Sequence, residues 1–183
     1  MKNNTSWLHA GVLRVSRIHF LYVLILVMQI WVYDAWHLIP PEAVMQRWII
    51  TAVLLSVTSV VWYLAHSPKR SNSAYRMMIY ALILVDIAVA SFSVYTQRGM
   101  ASRAVMLYAV PMIVAALLLS RAALYTTAAI SAASYTTAAV MYFVLHFNEG
   151  YKIELYGETS FYSAILFLLA ILLWAVHKTK HKN

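Results

Sequence analysis

Residues 77–96 read MMIYALILVDIAVASFSVYT, twenty positions with a single charged residue, Asp86. A bilayer's hydrocarbon core takes about 20 apolar residues of helix, and this run has that length and that composition. Apolar residues fall on every side with no two-residue alternation, and the run is too long for a barrel strand, so a membrane-crossing helix is predicted.

Five further runs of the same kind flank it. With Met77–Thr96 as the third, spans are predicted near Ile18–His37, Ala43–Ala65, Ala104–Leu119, Ala122–Leu145 and Thr159–His177. The fold expected is an all-α, polytopic six-helix bundle, forming one transmembrane domain over residues 1–183. The fourth span is short and meets the fifth through Ser120-Arg121, a tight helical hairpin. Trp7, Leu8, Gly11, Val12 and Val15 share one helical side, which predicts a short interfacial helix ahead of the first span. The first span is too long for a signal-peptide core and no small-residue cleavage site follows it, so no cleavable leader is expected.

Composition agrees. Of 183 residues 63% are hydrophobic and 11% charged, less than half the charge of an ordinary soluble domain. No cysteine is present, which removes disulfides, thiolate zinc sites and iron–sulfur clusters. Gly11, Gly99, Gly150 and Gly157 are scattered, whereas Walker, dinucleotide and kinase phosphate loops need clustered glycines. No span holds a lysine for a retinal Schiff base, and neither Gly-x-Ser-x-Gly nor His-Glu-x-x-His occurs. The chain is expected to be no enzyme and to carry no cofactor.

The formal charge of +8 is explained by sidedness. With the N-terminus inside, Lys2, Arg14, Arg17, Lys69, Arg70, Arg76, Arg121, Lys178, Lys180 and Lys182 fall on the inner side. Arg47, Arg98, Arg103 and Lys152 fall outside, with Asp34, Glu42, Glu149, Glu154 and Glu158. Ten bases against four place both termini in the cytoplasm, next to an anionic leaflet. A bacterial inner membrane is the expected setting. No stripe of bases and aromatics outside the spans supports nucleic-acid binding.

Asp86 lies about ten residues from the inner end of its span, near the midplane at 1.5 Å per residue. An aspartate there costs about 2.5–3.5 kcal/mol, and no lysine or arginine is expected at that depth. Desolvation without a cation raises a carboxyl pKa, so Asp86 is expected to be protonated and donating a hydrogen bond. Gln29, Ser56, Pro111 and Ser131 are expected in the same polar layer. Pro111 is predicted to leave the Leu107 carbonyl free, and Asp86 is expected to bond that carbonyl, Ser131 or Gln29. Such a layer is either a static join between helices or a titrating or ligand-binding site.

On the fifth span, Thr127, Ser131, Ser134 and Ala138 share one face, and Thr126, Ala129, Ala133 and Thr137 another. Small faces on two sides predict a central helix that neighbours approach closely. At the outer rim, Trp31, Asp34, Trp36 and His37 are interfacial anchors or an aromatic box for a cationic or amphiphilic ligand. Asp34, His37 and Glu42 make a weak metal set, and none is expected to be filled. His146, Glu149, Glu154 and Glu158 form an acidic patch that a solvated loop explains. His19 and His177, near the inner interface, are conceivable as a haem pair but are ordinary there.

One further pattern runs from Asp86 through the turn Gln97-Arg98-Gly99-Met100-Ala101-Ser102-Arg103. It continues with Tyr108, Pro111, Leu117-Leu118-Leu119, Arg121 and Ala123-Leu124, and ends in the small-residue helix that holds Tyr135. On these residues, Met78 to Tyr142 resembles part of the six-helix membrane input domain of bacterial sensor histidine kinases, the type that includes the pilus-regulating sensor kinases. The likeness covers about a third of the chain. In that family the turn usually has two glycines, two variable residues, then serine and proline. Here Gly99 and Ser102 match, while Arg98 and Arg103 stand in the other places.

The resemblance implies a sensory or ligand-binding bundle. With only Lys178–Asn183 after the sixth span, no kinase part is expected, so the module would stand alone and act through a protein partner or as a homo-oligomer. The alternative is a small-molecule transport component, of the kind that binds substrate in energy-coupling-factor transporters, or an accessory subunit of a membrane complex. Against the transport reading, the first span holds only Ala35, where those subunits carry alanines spaced by three.

Overall fold

The computed structural model describes residues 3–66, 70–146 and 149–180. Lys2, Lys69 and Lys182 lie outside the described residues, as do the side chains of Glu149, His177, Lys178 and Lys180. Among the described residues every regular element is helical. The α-helices are α1 (Asn3–Ala35), α2 (Pro41–Ala65), α3 (Asn72–Thr96), α4 (Ala109–Leu118), α5 (Arg121–His146) and α6 (Lys152–Lys180), with short 3-10 helices at Gly99–Ala101, Arg103–Tyr108 and Glu149–Tyr151.

Five helices are long and apolar enough to cross a membrane: Trp7–Ala35, Pro41–Ala65, Asn72–Thr96, Arg121–His146 and Lys152–Val176. The chain thus has the build of a multi-pass membrane protein. The fourth apolar segment, Arg103–Leu118, is shorter and begins as a tightly wound 3-10 helix before widening into α4.

Local chemistry sets the helix ends. α1 runs unbroken through residues 7–17, with no separate interfacial helix, because no proline interrupts it and Gly11 alone is tolerated in a helix. It stops at His37, whose φ of 50° is left-handed. The Leu38 N–H donates to the Tyr33 carbonyl at 2.9 Å and the His37 N–H to the Asp34 carbonyl at 3.0 Å. That bond pair is a Schellman closure. Pro41 opens α2, where a missing N–H costs nothing. Ser71 caps α3, its Oγ accepting from the Ala74 N–H, and Ser120 caps α5 by accepting from the Ala123 N–H. The hairpin through Ser120-Arg121 is therefore built as the sequence predicts.

The chain divides within α3 into two compact units, Met1–Val85 and Asp86–Asn183. In the first, α1 packs along α2, with Val12, Leu54, Tyr75, Ile79 and Leu82 fully buried. The His9 ring donates to the Ala65 carbonyl at 2.9 Å and lies 5.5 Å from the Tyr75 ring, so the start of α1 is fastened beside the end of α2. In the second unit α5 packs on α6, and α4 lies against both. One small-residue face of α5 is its buried face, with Thr127, Ser131 and Ala138 inside. The other face, Thr126, Ala129, Ala133 and Thr137, is exposed.

Candidate functional site

The second unit gathers hydroxyl groups inside an otherwise apolar packing. Ser91 Oγ, on α3, donates to the Ile87 carbonyl at 2.7 Å and lies 2.8 Å from the Tyr108 hydroxyl. A serine hydroxyl has one proton. With that proton committed to Ile87, Tyr108 is the donor to Ser91. The Tyr108 ring meets Tyr135 of α5 edge-on at 6.4 Å, and Tyr135 meets Tyr162 of α6 at 5.6 Å. The Tyr135 hydroxyl and, one turn earlier, Ser131 Oγ are buried with no hydrogen-bond partner among the described residues. Each such group costs free energy to hold away from water.

Beside this array a groove of about 450 Å³ opens between α3 and α5. Its walls include Ser91, Phe92 and Tyr95 on one side and Ser134, Thr137 and Met141 on the other. No charged residue lines it. Hydroxyls and aromatic rings over an apolar floor suit an uncharged amphiphile with a hydrogen-bonding head.

The loop from α3 to α4 is held against α5 and α6. Arg98 and Gly99 both have positive φ, 75° and 59°, and the short helix starting at Gly99 packs on α5 and α6. Gly99 is required twice over. A Cβ there would sit 2.7 Å from Tyr142 Cβ and 2.8 Å from its Cδ1, and left-handed backbone disfavours any side chain. Ser102 is buried and accepts from the Ala104 N–H at 3.1 Å, starting the next helical turn. The Tyr142 ring in turn stacks on His146, with centroids 4.1 Å apart, and meets Tyr95 edge-on.

The residues singled out in the sequence are distributed as follows. Asp86, Pro111 and Ser131 belong to the second unit and are buried. Gln29 and Ser56 belong to the first, and each bonds within its own helix: Gln29 Nε2 donates to the Tyr33 hydroxyl at 3.1 Å, and Ser56, exposed, donates to the Ala52 carbonyl at 2.7 Å. Pro111 falls in the first turn of α4, where helices tolerate it. The Leu107 carbonyl is not left free, as the sequence suggested, but shares the Ala109 N–H with the Met106 carbonyl, where the chain switches from 3-10 to α winding.

At the end of α1, Trp31 and Trp36 are 72% and 71% exposed, and Asp34 and His37 are exposed too. The cation held at this rim is the chain's own, the Arg47 guanidinium 4.8 Å over the Tyr33 ring. Among the described residues no three His, Asp or Glu side chains are grouped closely enough to hold a metal ion.

Sequence reasoning passed over Ser91, Tyr108 and Tyr162 as site residues. The available signal was Ser91 and Tyr108 bracketing the turn at Gly99, two hydroxyls facing one another across a short reversal. A scan against protein-family models, a search of curated proteins and a search of solved structures each return no match to this chain.

Proposed function

We propose that this chain is a membrane-embedded sensory or ligand-binding module, six spans with both termini in the cytoplasm of a bacterial cell, acting through a protein partner or a second copy rather than by catalysis of its own. The observation that carries the reading is the concentration of buried polar groups in helices built for lipid. Asp86, Ser91, Tyr108, Ser131 and Tyr135 are at most partly exposed, and they accompany an uncharged, hydroxyl-bearing groove. Polar groups inside a membrane are costly and tend to mark function. The likeness of residues 78–142 to sensor-kinase input domains supports the same reading.

Two measurements test it. The first takes the purified protein in neutral detergent with monoolein, an uncharged amphiphile with a hydroxyl head. The midpoint of thermal unfolding is expected to rise, and Ala133→Phe, at an exposed wall position of the groove, is expected to abolish the rise. Monoolein that stabilises both proteins equally contradicts the groove. Flux of a stabilising compound across protein-bearing vesicles would move the assignment to a transport component. The second uses the absence of cysteine. Glu158→Cys is expected to react with an impermeant maleimide from outside, and Ser71→Cys only after permeabilisation. The reverse pattern overturns the orientation.

A further inference from the structure

A second cleft, of about 270 Å³, lies in the second unit between the 3-10 segment Arg103–Tyr108, the start of α4 and α6. Its walls are Val105, Met106, Ala109, Ile165, Leu166 and Leu169, with the Tyr162 ring and Arg103 as the two polar members. From Tyr162 to Leu169 the lining follows α6 for seven residues, about 10 Å at the helical rise. A hydrocarbon chain lying in it meets side-chain carbon over that whole length.

The cation is what gives this cleft a preference. Arg103 is exposed and is the first residue of the 3-10 helix that Ser102 caps. Among the described residues no carboxylate forms an ion pair with it. Glu158, one turn before Tyr162 on α6, makes none either. Arg103 thus sits at an apolar slot with its charge unmatched by the protein. A guanidinium is shaped to take two oxygens of a phosphate at once.

We propose that the cleft between Arg103–Ala109 and α6 is a binding site for an anionic phospholipid, one acyl chain lying along Leu166 and Leu169 and the phosphate of its headgroup held by Arg103. This rests on the multi-pass membrane build and is independent of the α3–α5 groove, so either site can fail without the other. The slot differs from the cleft between α2 and α3, where Val57, Val60, Leu64 and Met77 are among the walls and no charge is present. That cleft has no means of telling one headgroup from another.

The experiment uses the full chain in neutral detergent, with dioleoylphosphatidylglycerol and dioleoylphosphatidylcholine bound competitively and counted by native mass spectrometry. Phosphatidylglycerol is expected to bind about fivefold more tightly than phosphatidylcholine, the preference one arginine near a membrane surface supplies. Arg103→Gln is expected to erase the preference while leaving the protein folded. Arg98→Gln, removing a neighbouring charge outside the cleft, is expected to keep it. Ala109→Phe fills the slot and is expected to lower binding of both lipids. If that variant does not fold, the pair of arginine variants decides alone. Equal binding of the two lipids by the unaltered protein overturns the proposal. So does a loss of preference in Arg98→Gln as large as in Arg103→Gln, which marks diffuse surface charge. Displacement of the lipid by millimolar inorganic phosphate also overturns it, because the acyl slot then contributes nothing.

Discussion

Two reversals in this chain use left-handed backbone, and they do so under opposite conditions. At the end of α1, His37 takes a φ of 50° in a turn whose residues 34–38 are exposed and that two backbone hydrogen bonds close. At the end of α3, Arg98 and Gly99 take 75° and 59°, and Gly99 is buried against the Cβ of Tyr142. The first turn is a helix ending that any residue tolerant of that φ can make. The second is a tertiary contact, and its geometry depends on residue 142 being where it is. A turn's tolerance of change follows from what lies over it, rather than from its φ.

The comparison is broken most directly by Gly99→Ala. Left-handed strain of about 1–2 kcal/mol adds to overpacking of about 1–3 kcal/mol, so a loss near 3 kcal/mol is expected in detergent unfolding. Tyr142→Ala in the same chain is expected to recover only part of it, because the nearest atom, the Tyr142 Cβ at 2.7 Å, remains. Full recovery would show that the ring alone sets the fit.

Next in size is Ser102→Ala, which removes the bond to the Ala104 N–H and is expected to cost about 1 kcal/mol. Its effect should exceed that of any single polar substitution in the His37 turn. Tyr108→Phe removes the donor to Ser91 and is expected to cost about 0.6 kcal/mol, the usual worth of a hydrogen bond between membrane helices. A vibrational shift of the Ser91 hydroxyl, measured alongside, separates loss of that bond from loss of packing. The smallest change is expected from His37→Gly, within about 0.5 kcal/mol and toward greater stability. A large loss there would make the His37 turn a packed element like the one at Gly99.

Much of the fold was legible in the residues. Runs of about 20 apolar positions show helices, and Ser120-Arg121 shows the hairpin, because length and capping chemistry are local properties. The inside of the second unit was not legible, for a reason peculiar to lipid. Where the solvent is itself apolar, the hydrophobic pattern no longer says which face is buried. The two small faces of α5 look alike in sequence, yet Thr127, Ser131 and Ala138 are inside while Ala129 and Thr137 are exposed.

The candidate site divides the same way. Asp86 and Ser131 stood out as polar atoms at midspan, and both are buried. The pairing of Ser91 with Tyr108 depends on how tightly the chain reverses at Gly99, and nothing near Gly99 in the sequence reports that Tyr142 lies over it. Likewise the 3-10 winding ahead of Pro111, which occupies the Leu107 carbonyl, is set by where the preceding turn releases the chain.

The length of α1 has a physical consequence for the membrane around it. Its apolar portion, Trp7–Ala35, has 29 residues and so extends about 43 Å, against roughly 30 Å of hydrocarbon. Leaning over fully enough to hide that excess would take an inclination of about 45°, steeper than membrane helices usually adopt. Partial tilt, local thickening of the bilayer and emergence of a turn or two among the headgroups are the ways to absorb the rest, and the exposed Arg14 and Arg17 have the long side chains that snorkelling requires. A thicker bilayer shortens that overhang, so the mismatch α1 must accommodate is set by the thickness of the membrane around it.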